Sequence, residues 1–426
     1  MNKLIITRLN DRILTALFSE KEALELGLEE NASILGNIYI GRISRIVRNL
    51  NAAFLDFGEG LTGYYSLEDN PFSLPVRQSV RKEGEETDTG TFSLSVVSSR
   101  DLKGGDEIIV QVAKEAIKTK DPVLSANLNF PGKYVVLTTG KKSISFSSKI
   151  HDKLWKDQLR PQLDELLQTN SGLIVRTNGY QMEEAILAEA RQLLQMCTQI
   201  LSSAAYRTCG SLLYEAEPEY LKSIKSSHTG TLEEILTDQP DVFRTIESYL
   251  EHSQPEELKK LRLYQDPLLS LSGLYSLKAV MEQACQKRVW LKSGGYLVIE
   301  PTEAMVVIDV NTGKYSGKKN QRDTIRMINL EAAGEICRQL RLRNLSGIIM
   351  VDFIDMKEEE DKTLLMEHLR RHAALDPVKT TVVDMTQLNL VELTRKKGKK
   401  PLWEQLLAVK NRESGEPDSR AEARLR

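Results

Sequence analysis

Met305-Val306-Val307-Ile308-Asp309-Val310-Asn311-Thr312-Gly313-Lys314 runs through large apolar residues, β-branched types prominent, to an aspartate, and Gly347-Ile348-Ile349-Met350-Val351-Asp352-Phe353 repeats the arrangement. Each reads as a buried strand that delivers a carboxylate at its C-terminal end. Between them Ile325, Ile328, Ala332, Ile336 and Leu340 recur at intervals of three and four, the period of an amphipathic helix. A crossover of that length makes the two strands parallel. Asp309 and Asp352 are therefore expected at one edge of one sheet, where open α/β sheets bind ligands.

Two carboxylates at a sheet edge suit Mg²⁺, a hard cation that binds through one or two carboxylates plus substrate phosphates and keeps several waters. Asn311 is placed to orient Asp309 or to donate to a phosphate oxygen. An aspartate that ends a strand also serves as a turn former or helix cap. Its occurrence at both ends of one crossover favours the metal.

At 426 residues the chain is too long for one ordinary core, so several domains are expected. Hydrophobic content of 41% and charged content of 28% are those of a soluble globular protein. No leading segment has the basic and apolar halves of a signal peptide, and no apolar run is long enough to span a bilayer, so a cytoplasmic protein without membrane partners is expected. Cys197, Cys209, Cys285 and Cys337 are far apart and lack zinc-ligand spacing, which predicts reduced core residues. A formal net charge of −2 does not advertise nucleic-acid binding; that case rests on local clusters.

From the start, residues 3–7 and 12–18 are β-rich runs around an Asn10-Asp11 turn, leading to an acidic segment. From residue 35 short strands alternate with glycines, the texture of a small barrel. Exposed aromatics there, with Arg42, Arg45, Arg48, Lys114 and Lys120, would suit single-stranded nucleic acid: bases stack on rings while cations follow the backbone. The same aromatics could equally fill the barrel core. Residues 77–100 read as a flexible, acidic insertion loop. Next, residues 134–137 and 173–175 read as strands and residues 183–203 as an amphipathic helix. Arg176-Thr177-Asn178-Gly179 joins strand to helix, either as a plain turn or as a loop that holds an anion. Residues 210–282 alternate short strands with charged helices, and His228 and His252 there read as solvated. The basic run Arg395-Lys396-Lys397-Gly398-Lys399-Lys400 could touch phosphates or keep a helix start soluble. The tail is polar and reads as disordered.

Trp290-Leu291-Lys292-Ser293-Gly294-Gly295-Tyr296, Ile308-Asp309-Val310-Asn311-Thr312-Gly313, Asn329-Leu330-Glu331-Ala332-Ala333, Arg338-Gln339-Leu340-Arg341-Leu342-Arg343, Val351-Asp352-Phe353-Ile354-Asp355-Met356 and Val391-Glu392-Leu393-Thr394-Arg395-Lys396 resemble the motifs of the bacterial ribonuclease E/G family. The resemblance, weaker elsewhere, extends to about residue 405. It implies a multidomain α+β endoribonuclease: an RNase H-like subdomain split between 1–34 and 210–283, an S1-type OB-fold barrel at 35–118, a 5′-sensor subdomain at 119–209, a DNase I-like catalytic domain at 284–405, and a polar tail at 406–426. It further implies that Asp309 and Asp352 bind Mg²⁺ with Asn311 in support. Gly132, Val136, Arg176 and Thr177 match the pocket for a 5′-monophosphate. Phe54, Tyr64 and Lys120 match barrel residues that contact RNA, with tyrosine in place of the usual phenylalanine at 64.

Two departures accompany the resemblance. No cysteine follows Trp403, where family members commonly carry a CPxC zinc link, so no structural zinc is expected and a homo-oligomer would need another interface. Ser148 and Lys149 stand where two basic residues are expected, removing one substrate cation. The chain is thus similar to the short, ribonuclease G-like members. The expected function is Mg²⁺-dependent cleavage of single-stranded RNA in rRNA maturation and mRNA decay, with an RNA-binding scaffold that has lost cleavage as the alternative.

Overall fold

The structure, a computed structural model, describes residues 2–29, 33–58, 60–76, 80–81, 93–94, 96–116, 121–167, 170–226, 232–313 and 321–413. Lys120, Lys314, His228, the acidic centre of the loop at 83–88 and the tail beyond 413 lie outside the described residues. The chain divides into two compact units, Ala32–Thr229 and a discontinuous one of Met1–Asn31 with Gly230–Arg426. Elements are mixed α and β, as expected.

In the 32–229 unit, the strands Ile38–Val47, Ala52–Asp56, Thr62–Ser66, Val123–Ser125 and Glu107–Lys114 pair in a ring, the last closing on the first. This closed five-stranded barrel is consistent with an OB or S1-like fold. Tyr39, Phe57 and Tyr65 fill its core with Leu55 and Val110. Gly63 is required by the tight wall: a Cβ there would lie 2.7 Å from the Leu124 side chain. A second sheet, in the order Asn129–Pro131, Val135–Thr139, Ser171–Val175, Ser143–Phe146, shares a core with helices Lys153–Leu166 and Glu183–Ala204. The first helix, absent from the sequence reading, is capped by Asp152, which accepts from the Trp155 N–H at 3.1 Å, and buries Trp155, Leu159 and Leu163 at i, i+4 and i+8.

The discontinuous unit holds a five-stranded sheet in the order Leu261–Leu263, Leu232–Thr237, Asn2–Leu9, Arg12–Ser19, Glu22–Glu29. Asn10, at φ 54°, makes the expected tight turn. The acidic segment after it is a strand: Ala23, Leu26 and Leu28 are buried, and Glu25 faces outward to an ion pair with Arg341 at 2.6 Å. Acidic residues spaced between the apolar ones concealed that half-buried face.

The six-stranded sheet runs Arg288–Trp290, Tyr296–Pro301, Met305–Asn311, Gly347–Asp352, Leu390–Arg395, Thr380–Met385. Only the third and fourth strands are parallel, joined by helix Gln321–Leu342. The reading of these two strands as fully buried is corrected. Val306, Ile308, Val310, Ile349 and Val351 enter the core with helices Gln321–Leu342 and Glu359–Ala373, while Val307 and Ile348 are 40% and 49% exposed on the opposite face. That alternation is the pattern of a sheet packed on one side. The tail is corrected as well, since helix Leu402–Glu413 continues through its first eight residues. Leu402 is buried with Leu406 packed beside it, and the Gln405 amide accepts from Leu28 N–H at 3.0 Å and donates to Lys400 O at 2.6 Å. Among the described residues no helix is long and apolar enough to cross a membrane.

Candidate active site

Parallel pairing places Asp309 directly opposite Asp352 at the C-terminal ends of their strands, both exposed. Cross-strand partners point to the same face, so the carboxylates share one patch of open sheet. Asn311, two residues on and therefore on that face, donates from Nδ2 to Asp309 Oδ2 at 2.6 Å. Burial, and then the nearby charges of Asp309 and Asp355, push the Asp352 carboxyl above its ordinary value.

The loops that flank these residues are lashed to the crossover helix. Asn329, fully buried, donates from Nδ2 to Ile354 O at 2.8 Å and accepts at Oδ1 from Ile354 N–H at 3.1 Å, fixing the chain that leaves Asp352. Two positions along the helix, Glu331 accepts the backbone N–H groups of Lys292 and Ser293 at 2.6 and 3.2 Å. The turn so held presses Gly294 and Gly295 against the end of the Asp309 strand. Gly313, at φ 61°, could not carry a Cβ, which would lie 2.2 Å from Gly294 O. Asn389 donates to Asp355 Oδ1 at 3.3 Å beside the pair. Asn329 and Glu331 belong to a motif quoted above, but periodicity gave neither a role, because their partners lie 25 and 38–39 positions away in sequence.

Could this patch hold a metal? Its donors are hard oxygens from two in-register carboxylates and a supporting amide, the set that suits Mg²⁺. A divalent cation would relieve the charge repulsion from Asp309 and Asp355 that, after burial, raises Asp352. Among the described residues no group of three or more His, Cys, Asp or Glu side chains converges to cage an ion, so water and substrate oxygens would complete the shell. None of the four cysteines forms a disulfide, and burial pushes the Cys197 and Cys337 thiols up to about 12.

In the other unit, two further groups of expected residues come together. Arg176 ends the Ser171–Val175 strand, donates through its backbone to Tyr134 O at 2.7 Å and from its guanidinium to Gly132 O at 2.5 Å. Thr177 opens a 3₁₀ turn with its hydroxyl 3.0 Å from Ser147 Oγ. Val136 lies on the adjacent strand, opposite Ile174. A residue missed in the sequence organises this corner: Glu189, on helix Glu183–Ala204, accepts the backbone N–H groups of Lys133, Tyr134 and Val135 at 2.7, 2.7 and 2.9 Å. Gly132 is needed there because a Cβ would lie 2.4 Å from that carboxylate.

On the barrel, Phe54 and Tyr64 are cross-strand partners with ring centroids 6.0 Å apart, both half-buried while Tyr39, Phe57 and Tyr65 occupy the core. These two rings lie outside the core cluster, which Tyr39, Phe57 and Tyr65 fill. The Arg45 guanidinium lies 4.8 Å over Phe54, and Lys114, exposed, pairs with Val123, the neighbour of Tyr64.

The model of the Ribonuclease E/G family matches residues 129–398, more than half of the chain. The chain belongs to that family. Among relatives, ribonuclease E of Synechocystis sp. is 32% identical over 393 residues, covering 91% of this chain and 56% of the relative. Ribonuclease G of Escherichia coli is 32% identical over 378 residues, 88% of this chain and 75% of the relative, and ribonuclease G of Haemophilus influenzae is 32% identical over 384. The chain spans a little over half the length of the cyanobacterial ribonuclease E relatives it matches.

Proposed function

We propose that this chain is a Mg²⁺-dependent endoribonuclease that cuts single-stranded RNA in the cytoplasm, favours a 5′-monophosphate end, and serves rRNA maturation and mRNA decay. The observation that carries the reading is the in-register pair of Asp309 and Asp352 with Asn311 bonded to the first. Family membership supports it. On this reading residues 284–405 are the DNase I-like catalytic domain and 35–118 the S1-type barrel. Residues 119–209 are the 5′ sensor, and 1–34 with 210–283 the split RNase H-like subdomain.

Asp309 and Asp352 would hold the metal. Bound there, Mg²⁺ would supply charge neutralisation at the scissile phosphate and a more acidic water. Asn311 fixes the rotamer of Asp309 so that one carboxylate oxygen stays free to ligate. Asp352 ligates only after losing its proton, so cutting falls as acidification protonates it. The half-exposed rings of Phe54 and Tyr64, with Arg45 and Lys114, support the RNA body: stacking accepts any base, and the cations follow the phosphates. The Arg176 guanidinium supports the sensor, since it can turn from a carbonyl to a terminal phosphate.

The test is cleavage of an end-labelled single-stranded RNA carrying either a 5′-monophosphate or a 5′-hydroxyl, in Mg²⁺ and in EDTA. Metal-dependent cutting with a monophosphate preference is expected; binding without cutting in every condition would leave only a scaffold. Arg176→Ala is expected to erase the monophosphate preference, a loss of roughly tenfold or more for one charged hydrogen-bond donor, while hydroxyl-ended RNA is cut at the original rate.

A further inference from the structure

Beside the carboxylates the same sheet face carries an aromatic group that the proposed reaction does not use. Register across three strands puts Trp290 opposite Tyr296 and Tyr296 opposite Asn311, while Arg288 lies opposite Val298 and Val298 opposite Asp309. Two parallel rows result. One reads Arg288, Val298, Asp309, Asp352, and the next Trp290, Tyr296, Asn311. All point to the open face, because the alternate residues Val289, Leu291, Leu297 and Ile299 pack into the core.

The rings of Trp290 and Tyr296 are 5.3 Å apart, and the Arg288 guanidinium lies 4.7 Å from the Tyr296 centroid and 5.8 Å from that of Trp290. Trp290 is nonetheless 61% exposed. A tryptophan held by a neighbouring ring and a cation, yet left open to solvent, contributes little to the core and offers a flat, pre-positioned π-face. From the strand spacing, Trp290 stands two strands, about 10 Å, from Asn311, and Tyr296 about 5 Å. That is the reach from a scissile phosphate to the base of an adjoining nucleotide.

We propose that Arg288, Trp290 and Tyr296 form a stacking platform for one unpaired base next to the cleaved phosphodiester, so that this sheet face positions the nucleotide as well as holding the carboxylates. The inference rests on the endoribonuclease reading for its reaction but not for its ligand, an unpaired RNA base. Arg288 adds a positive charge beside the stacked base, matching the phosphate that flanks it. Duplex RNA keeps its bases stacked on one another, so the platform would select single strands at the point of cutting.

The experiment compares the unaltered chain, Trp290→Ala, Trp290→Phe and Arg288→Ala on single-stranded RNA of fixed cleavage site. Each nucleotide flanking that site is replaced in turn by an abasic unit. Cleavage and, by anisotropy of the labelled RNA, binding are both measured. The unaltered chain is expected to lose about tenfold in kcat/KM or affinity when one particular base is removed, the scale of one base–aromatic stack. Trp290→Ala should lose the same factor on intact RNA and become indifferent to the abasic unit, Trp290→Phe should recover most of it, and Arg288→Ala should lose part. Trp290→Ala that retains full sensitivity to the missing base overturns the platform. So does a Trp290→Ala that leaves cleavage and binding of intact RNA untouched. Binding without cutting by the unaltered chain would sink the nuclease reading alone, because the anisotropy series still decides the platform.

Discussion

Asp352→Asn is expected to slow RNA cutting by roughly a thousandfold or more, the several kcal/mol of charge stabilisation that a divalent ion contributes. On the proposed reading RNA affinity should hardly change, because the rings and cations assigned to RNA binding are side chains other than the two carboxylates. Calorimetric titration with Mg²⁺ should show the site lost, and a variant that cuts normally would refute the metal assignment. Asp309→Asn should do the same and adds a pH signature. In the metal-free chain it removes one of the charges that raise Asp352, so the Asp352 pKa should fall. It should stay above the ordinary value, since burial is the larger cause. A carboxyl raised in the folded state binds its proton more tightly folded than unfolded, so its ionisation weakens the fold above that pKa, and the loss is recovered as pH falls through it. Mild acidification should therefore relieve the metal-free site, less so in Asp309→Asn. Carboxyl NMR titration measures both.

Asp376→Ala is expected to destabilise the six-stranded sheet by about 3–5 kcal/mol, the cost of leaving a buried charge without its counter-ion. Arg395 and Asp376 are each 3% exposed in their side chains, with Nε 2.7 Å from Oδ2. The guanidinium also donates to Asn344 Oδ1 at 2.9 Å and to Leu345 O at 3.1 Å, tying the chain that enters the Asp352 strand to the strand beside it. Replacing both partners, Asp376→Leu with Arg395→Met, should cost much less than the single change, because no charge is then stranded. Urea unfolding of the unaltered chain and the two variants decides this; equal losses for single and double changes would show that shape rather than charge sets the cost.

Legibility in the sequence followed the range of the interactions. The two aspartate strands and the helix between them were legible because an apolar run and a 3.6-residue period are local signals, and parallel pairing follows from the crossover length. The open face was not legible: Val307 and Ile348 are apolar yet exposed, and nothing in a run of valines and isoleucines says which face has a neighbour. Asn329, Glu331 and Glu189 hold backbone groups 25 to 56 positions away, beyond the reach of any window. Phe54 and Tyr65 look alike in sequence, and only the register of the barrel puts one outside and the other in the core.

The parallel pairing of Asn2–Leu9 with Leu232–Thr237 sets a schedule for synthesis. Lys3 and Glu234, which meet at 2.7 Å, are 231 positions apart, so at ribosomal speed the first strand waits roughly ten to fifty seconds for its partner. Through that interval Leu4, Ile5 and Ile6, all buried in the finished sheet, belong to a strand with one open edge, while the intervening 32–229 unit, compact by its own contacts, is synthesised whole. The Asn2–Leu9 strand thus keeps one edge unpaired until residues 232–237 arrive, and an unpaired apolar strand edge is an aggregation liability for that part of synthesis.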